Sequence, residues 1–340
     1  MRLKDIATIA NVSPSTVSLV INNREGVSDE KRRQILKLLD DYGYRPHEQD
    51  TKEQPVSSQR NIQFVKYKRH AMLVDGNPGF VNSLIDAVEM ECRRQNYTLF
   101  MTSCNREQLC TIAETIDSET TAGVLLLGTE LSAEDIQWLS NIPVPMVILD
   151  TYLPIEDLNC ITMNNYDAVF RSVEHLASLG HSQIGFIANR LPSNNCIERR
   201  RAFQVALSEQ GLAFDPSLVY EVHPTSDGAY QSIYGLLEQG VKFPSALVAN
   251  NDSIALGTIK ALKEFGIRVP EEVSITGFDN IPFSHISEPP LSTMDVSCTE
   301  MGIWAVRLLC DHMKYSFSAI TKLRISTKLV IRNSTAPYHG

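Results

Sequence analysis

From residue 61 to residue 279, short runs that are apolar from end to end alternate with helices that are apolar on one side only. The runs are "NIQFVKY", "YTLFMT", "AGVLLLG", "PMVILD" and "NCITM", followed by "QIGFIA", "LVYEV", "ALVAN" and "VSITGFD". Helical spacing of apolar residues fills the gaps, at 80–95, near 107–118, near 132–140, and at 166–179, 196–210, 227–239 and 252–265. A strand without a polar face must be covered on both faces, which is the condition of a parallel sheet whose crossovers are helices. There are more strands than one open sheet needs, so the pattern predicts two such sheets side by side.

The first 46 residues keep a different rhythm. Leu3, Ile6, Ala7 and Ala10 recur at helical spacing, and Asn11 closes that helix. Ser13 and Pro14 then form a strong start signal, an N-cap residue followed by proline at the first helical position. At 100° per residue, Val17, Val20 and Ile21 fall on one side of this second helix, and Ser15, Ser18, Leu19 and Asn22 on the other. A third helix begins after Ser28, with Asp29 and Glu30 in its first turn and an apolar stripe of Ile35, Leu38, Leu39 and Tyr42; Gly43 ends it. Two helices joined by a tight turn and braced by a third describe either a helix-turn-helix or a plain three-helix bundle. From residue 47 the stretch "HEQDTKEQPVSSQR" has no apolar period and is expected to be a linker, residues 47–60.

Charge separates these parts. The chain carries −9 overall, yet residues 1–46 hold eight Lys/Arg against six acids, a net +2 that leaves −11 for the rest. A mildly basic head on an acidic body suits a protein whose first module alone meets a polyanion. No apolar run approaches the roughly 18 residues that span a bilayer, and the start "MRLKDIATIANVS" lacks the apolar core of a signal peptide, so a cytoplasmic protein without a membrane partner is expected. The seven cysteines form no C-x-x-C pair and no cluster with histidine at zinc spacing, so neither disulfides, metal nor cofactor is expected. No G-x-S-x-G, phosphate-binding glycine loop or H-E-x-x-H occurs, and His175 and His181 have no nucleophile nearby in sequence. The chain is not expected to be an enzyme.

The head "LKDIATIANVSPSTVSLVINNREGVSDEKRRQILKLLDDYGYRP" and the body segments "VEHLASLGHSQIGFIA", "ANNDSIALGTIKAL" and "GIRVPEEVSITGFDNIPFSHISEPPLSTM" resemble the lactose-repressor (LacI) family of bacterial transcription regulators, in family order along nearly the whole chain. The resemblance implies an all-α helix-turn-helix head (1–46), a linker or hinge (47–60) and an α/β body (61–340) with the two-lobed, periplasmic-binding-protein-like fold. It places the first lobe at about 61–180 plus 296–318, and the second at about 181–295 plus 319–335. It further implies a homodimer that represses by binding pseudo-palindromic double-stranded operator DNA and holds a small effector, most often a sugar or nucleobase, between the lobes. A regulator of the same fold that answers to a protein partner or a non-sugar ligand is the alternative.

By the same resemblance, base-reading positions fall on Pro14, Ser15 and Leu19, and phosphate-contacting ones on Ser13, Thr16, Asn22 and Ser28. The family usually has arginine where Leu19 stands, and leucine cannot grip guanine, which leaves apolar contact with a thymine methyl or support of the domain interface. The family's hinge helix would carry its wedge residue at Glu53, where a carboxylate is repelled by phosphate; with Asp50 beside it, a flexible linker and a weakly bent operator are expected. Effector positions carry over to Asn77, Phe80, Asp167, Arg199, Asn251, Asp252 and Asp279, with helix capping the competing role for Asn251 and Asp252, core packing for Phe80, and a plain surface charge for Arg199. Two departures bear on a sugar. No aromatic stands near Pro224, and "KRHAMLVDG" at about 68–76 is longer than the family needs.

Overall fold

The computed structural model describes residues 3–21, 27–41, 61–315 and 319–338. The chain divides into two compact units, 1–57 and 58–340. The linker with Asp50 and Glu53, and Asn22 and Tyr42 of the head, lie outside the described residues.

The first unit contains α1 (Leu3–Ile9), α2 (Pro14–Ile21) and α3 (Asp29–Asp41). Asn11 has φ 52°, the left-handed conformation that ends a helix. Ser13 opens α2, its Oγ accepting the Thr16 amide at 3.2 Å. Ile6, Ala7, Ala10, Val17, Val20 and Ile35 form one core, with Val12, Val27, Leu38 and Leu39 packed around it. Leu19 is half-buried and stands outside that cluster. The head therefore closes on the apolar face of α2 read from its period, and Leu19 does not serve its core.

The second unit begins with β1 (Asn61–Tyr67), α4 (Met72–Asp75), α5 (Pro78–Arg94), β2 (Thr98–Cys104), α6 (Arg106–Leu109), α7 (Ile112–Thr115), β3 (Thr121–Leu127), β4 (Met146–Leu149) and β5 (Cys160–Met163). It continues through α8 (Asn165–Ser178), β6 (Ile184–Asn189), α9 (Asn194–Glu209), β7 (Val219–Val222), α10 (Ser226–Glu238), β8 (Ala246–Ala249), α11 (Asp252–Glu264) and β9 (Ser274–Asp279). It closes with α12 (Pro282–Ile286), β10 (Ser292–Asp295), α13 (Cys298–Lys314), β11 (Lys322–Ile325) and β12 (Lys328–Val330). Two six-stranded sheets result, ordered β11-β5-β4-β3-β1-β2 and β12-β10-β9-β8-β6-β7. Every described pairing is parallel except β10 with β12.

Four expectations from the sequence need correction. The helix near 107–118 is two four-residue pieces, α6 and α7, and the one near 132–140 is a 3-10 stretch, Ala133–Trp138. The first lobe does not run to 180, because α8 packs on α9 and on strands of the second sheet. Nor does 319–335 belong wholly to the second lobe: β11 is an edge strand of the first sheet, hydrogen-bonded alongside β5, and only β12 joins the second. An apolar period shows that an element is covered, not which sheet covers it.

Candidate effector site between the lobes

Strands in a parallel sheet end in loops at one edge, and ligands gather outside those carboxyl ends. Here two apolar strands each end in an acid. Asp150 follows β4 and Asp279 closes β9, from different lobes, and both adopt positive φ, 59° and 106°. Positive φ is uncommon outside glycine, and residues that hold it cluster at functional sites. Both carboxyl groups, with Arg199 of α9, face one cavity of about 40 Å³. That is room for a water or so, and a sugar ring enters only if the lobes part.

The lobes meet through polar contacts. Asn77, ahead of α5, donates Nδ2 to Asp279 Oδ2 at 2.5 Å. From α9, Asn195 donates Nδ2 to Asp150 Oδ1 and its carbonyl, both at 2.9 Å, and Asn194 donates to Thr151 Oγ1 at 3.0 Å. At the rim, Arg324 of β11 pairs with Glu198 of α9 at 2.6 Å. Arg199 is buried, with its guanidinium 3.5 Å from the Phe278 ring centroid. It donates to Asn165 Oδ1 at 2.8 Å and to the Asn250 carbonyl at 2.6 Å, and stands 4.0 Å from Asp279. It is thus a positioned interior cation, not the surface charge that its neighbours Arg200 and Arg201 suggested.

Burial dominates the acids. It pushes Asp150 up to about 7, with Asp279 adding to the rise and Thr129, Arg199 and Asn195 opposing it. It pushes Asp279 up to about 6 against the pull of Arg199 and Asn77. Asp252 goes up to about 8 through burial and the nearby Asp279 charge. Removing a carboxylate from water without a matching cation favours its neutral form.

Of the expected effector residues, Asn77, Phe80, Arg199, Asn251 and Asp279 line this cavity. Asp252 lies behind the wall, accepting from Thr293 Oγ1 at 2.5 Å and the Ile281 amide at 2.9 Å. Asn251 also caps α11 through its Oδ1 and the Ile254 amide. Asp167 does not reach the cavity: it stands half-buried in the first turn of α8. Asp150, Thr129, Asn195 and Asn250 were not foreseen. The signal for Asp150 was present, since "VILD" ends an apolar strand in an acid just as "TGFD" does.

The long stretch 68–76 builds part of the wall. It contains α4, and Leu73 faces the cavity. Glu130 holds it, its two carboxyl oxygens accepting from the amides of His70, Ala71, Leu73 and Val74 at 2.7–3.2 Å.

In the head, Ser13 and Ser28 are exposed, and Ser13 Oγ lies 2.8 Å from Thr16 Oγ1. Pro14, Ser15, Thr16 and Leu19 lie on α2.

Residues 2–47 match the model for bacterial regulatory proteins of the lacI family, and 173–335 match the periplasmic binding protein-like domain. The chain is 30% identical over 336 residues to the HTH-type transcriptional repressor PurR of Pasteurella multocida, covering 98% of each. The chain belongs to the LacI family. The PurR of Haemophilus influenzae (strain PittEE) is likewise 30% identical over 339 residues. The fold of this LacI-family chain is shared with a lac repressor dimer bound to operator (TM-score 0.71, 23% identity, 99% of both chains). It is also shared with a CelR–cellobiose complex (TM-score 0.72, 23% identity, 98% and 99% covered). As a LacI-family DNA-binding transcription regulator, the protein is not an enzyme. Among the described residues, no helix is long and apolar enough to cross a membrane.

Proposed function

We propose that this LacI-family protein is a cytoplasmic repressor that binds an inverted-repeat operator as a homodimer and is controlled by a carbohydrate held between its lobes. The observation that carries the effector class is the convergence of Asp150, Arg199 and Asp279 with several asparagines on one interlobe cavity. Carboxylates, guanidinium and amides make the paired hydrogen bonds that sugar hydroxyls need, and a few such groups fix a ligand's orientation. Only one ring, Phe80, lines the cavity, while Phe278 is covered by Arg199. That favours a sugar over a base stacked on both faces. The CelR relative holds cellobiose, and a LacI-family relative from Enterococcus faecium (TM-score 0.70, 22% identity) holds ribose.

In the head, Pro14, Ser15 and Leu19 meet base edges, and Ser13, Thr16, Asn22 and Ser28 meet phosphates. Exposed apolar side chains on β2, Phe100 and Met101, and on α12, Phe283 and Ile286, offer surface for a second copy. Thermal unfolding of the full chain against pentoses, hexoses, disaccharides and nucleobases tests the effector class, since a bound ligand raises the midpoint by mass action. A shift with nucleobases alone overturns the sugar reading. Footprinting tests the dimer, and protection of a single asymmetric half-site overturns it.

A further inference from the structure

We infer that the effector is an amino sugar, a carbohydrate whose free primary amine meets the acids of the interlobe cavity. The inference rests on the sugar reading above and narrows it. Its basis is an accounting of donors and acceptors. Asn77 gives its Nδ2 to Asp279, Asn195 gives its Nδ2 to Asp150, and Thr129 gives its hydroxyl to Asp150 at 2.6 Å. Asn250 gives its Nδ2 to Cys196 Sγ at 3.3 Å. The acceptors left over are Asn77 Oδ1 and Asn250 Oδ1, both buried and without a hydrogen-bond partner, on two residues that line the cavity. The Asn77 amide is fixed in this sense, because turning it over would set an oxygen against the Asp279 carboxylate. A buried acceptor without a donor is costly, so the wall asks its ligand for donors.

Charge then selects among donors. Asp150 and Asp279 line the cavity with Asp252 behind them, and Arg199 is the one cation in the lining. Its short hydrogen bonds run to Asn165 and to the Asn250 carbonyl, not to either carboxylate. Burial raises all three acids, and a cation brought beside them would draw them back towards their charged form. A second hollow of about 300 Å³ shares Phe80 and Asp279 with the cavity, adds Asp295 and Glu300, and has no lysine or arginine in its lining. The charged side chains in that lining are all acidic, and a cleft lined by one sign of charge concentrates the opposite sign. A primary ammonium brings three donors, no acceptor and the missing charge, whereas a neutral hydroxyl brings one donor and no charge.

Calorimetric titration of the full chain at pH 7 compares glucosamine, galactosamine and mannosamine with their parent hexoses and N-acetyl derivatives. At least one amine is expected to bind about tenfold or more tightly than both its parent hexose and its N-acetylated form, as charge-assisted hydrogen bonds are stronger than neutral ones. Asp150→Asn, its fold checked by circular dichroism, is expected to weaken both ligands but the amine by about tenfold more than the parent hexose, so that the preference is lost; an undiminished preference overturns the proposal. Equal or tighter binding of the hexose or N-acetyl form overturns the amine and leaves the sugar reading standing. Binding of nucleobases and of no sugar overturns both. Silence across all nine sugars overturns the amine, and pentoses and disaccharides then decide the broader reading.

Discussion

Asn77, at the entrance to α5 in the first lobe, and Asp279, at the end of β9 in the second, share a hydrogen bond of 2.5 Å across the interlobe cavity. More than 200 residues of chain separate them, so the bond forms only when both lobes are folded and together. Asn77→Ala removes the donor and leaves a buried carboxyl group with one fewer partner. We expect the body to lose about 1–3 kcal/mol, read as a lower urea midpoint at unchanged m-value. An unchanged midpoint would mean that the bond does not hold the lobes. Asp279→Asn is expected to abolish any thermal response to sugars while leaving the head folded.

Glu130 fixes the stretch 68–76 by four backbone amides. In Glu130→Gln one oxygen becomes an NH2 group that faces amides with donors of its own. A loss of about 1–3 kcal/mol follows, with faster amide exchange at Leu73 and Val74. Unchanged protection there would show that α4 holds itself.

The acids make stability depend on pH. Asp150, Asp252 and Asp279 have folded values of about 7, 8 and 6, above the ordinary 3.8, so the folded body binds protons that the unfolded chain has released. Stability from these groups is complete below about pH 4 and is lost as pH rises through 6 to 8. His175 and His181 act oppositely, burial lowering both from 6.5, so their stability is present above that value and lost below it. Three groups outweigh two, and the body is expected to be more stable at pH 5.5 than at pH 8. Asp252→Asn should flatten that slope, and a melting series showing stability that rises with pH would contradict the assignment.

Leu19 stands half-buried on α2 outside the head's core. Leu19→Arg is expected to change the preferred base at one position per half-site by about 1–3 kcal/mol, with less effect on overall affinity. Selection from a random operator library reads the preference, and identical preferred sites for both proteins would show that residue 19 does not face the bases.

The strands of both sheets could be read from the sequence because nothing but double coverage explains runs such as "GVLLLG" and "ALVAN". The core of the head could be read from the period of Val17 and Val20. The site was half readable. Arg199 and Asp279 came from family register, but the same register chose Asp167, which the packing of α8 holds away from the cavity, and it passed over Asp150. Glu130 could not be found that way, since its role arises from a contact about 60 residues distant along the chain. Nor could the lobe of β11, because an edge strand of mixed polarity carries no mark of the sheet it joins.

The chain passes from lobe to lobe at three places, after β5, after β10 and between β11 and β12. These passages are tied to one another: the Asn164 amide donates to the Ile325 carbonyl at 2.8 Å, and Asp295 pairs in register with Lys328. Three straps laced together resist twist and sideways slip while still allowing a swing about the line they share. Anything that wedges or clamps the cavity therefore acts on all three straps at once. Cutting one lacing, as by Asn164→Pro with its lost amide, would change how far the lobes travel without touching a residue that faces the cavity.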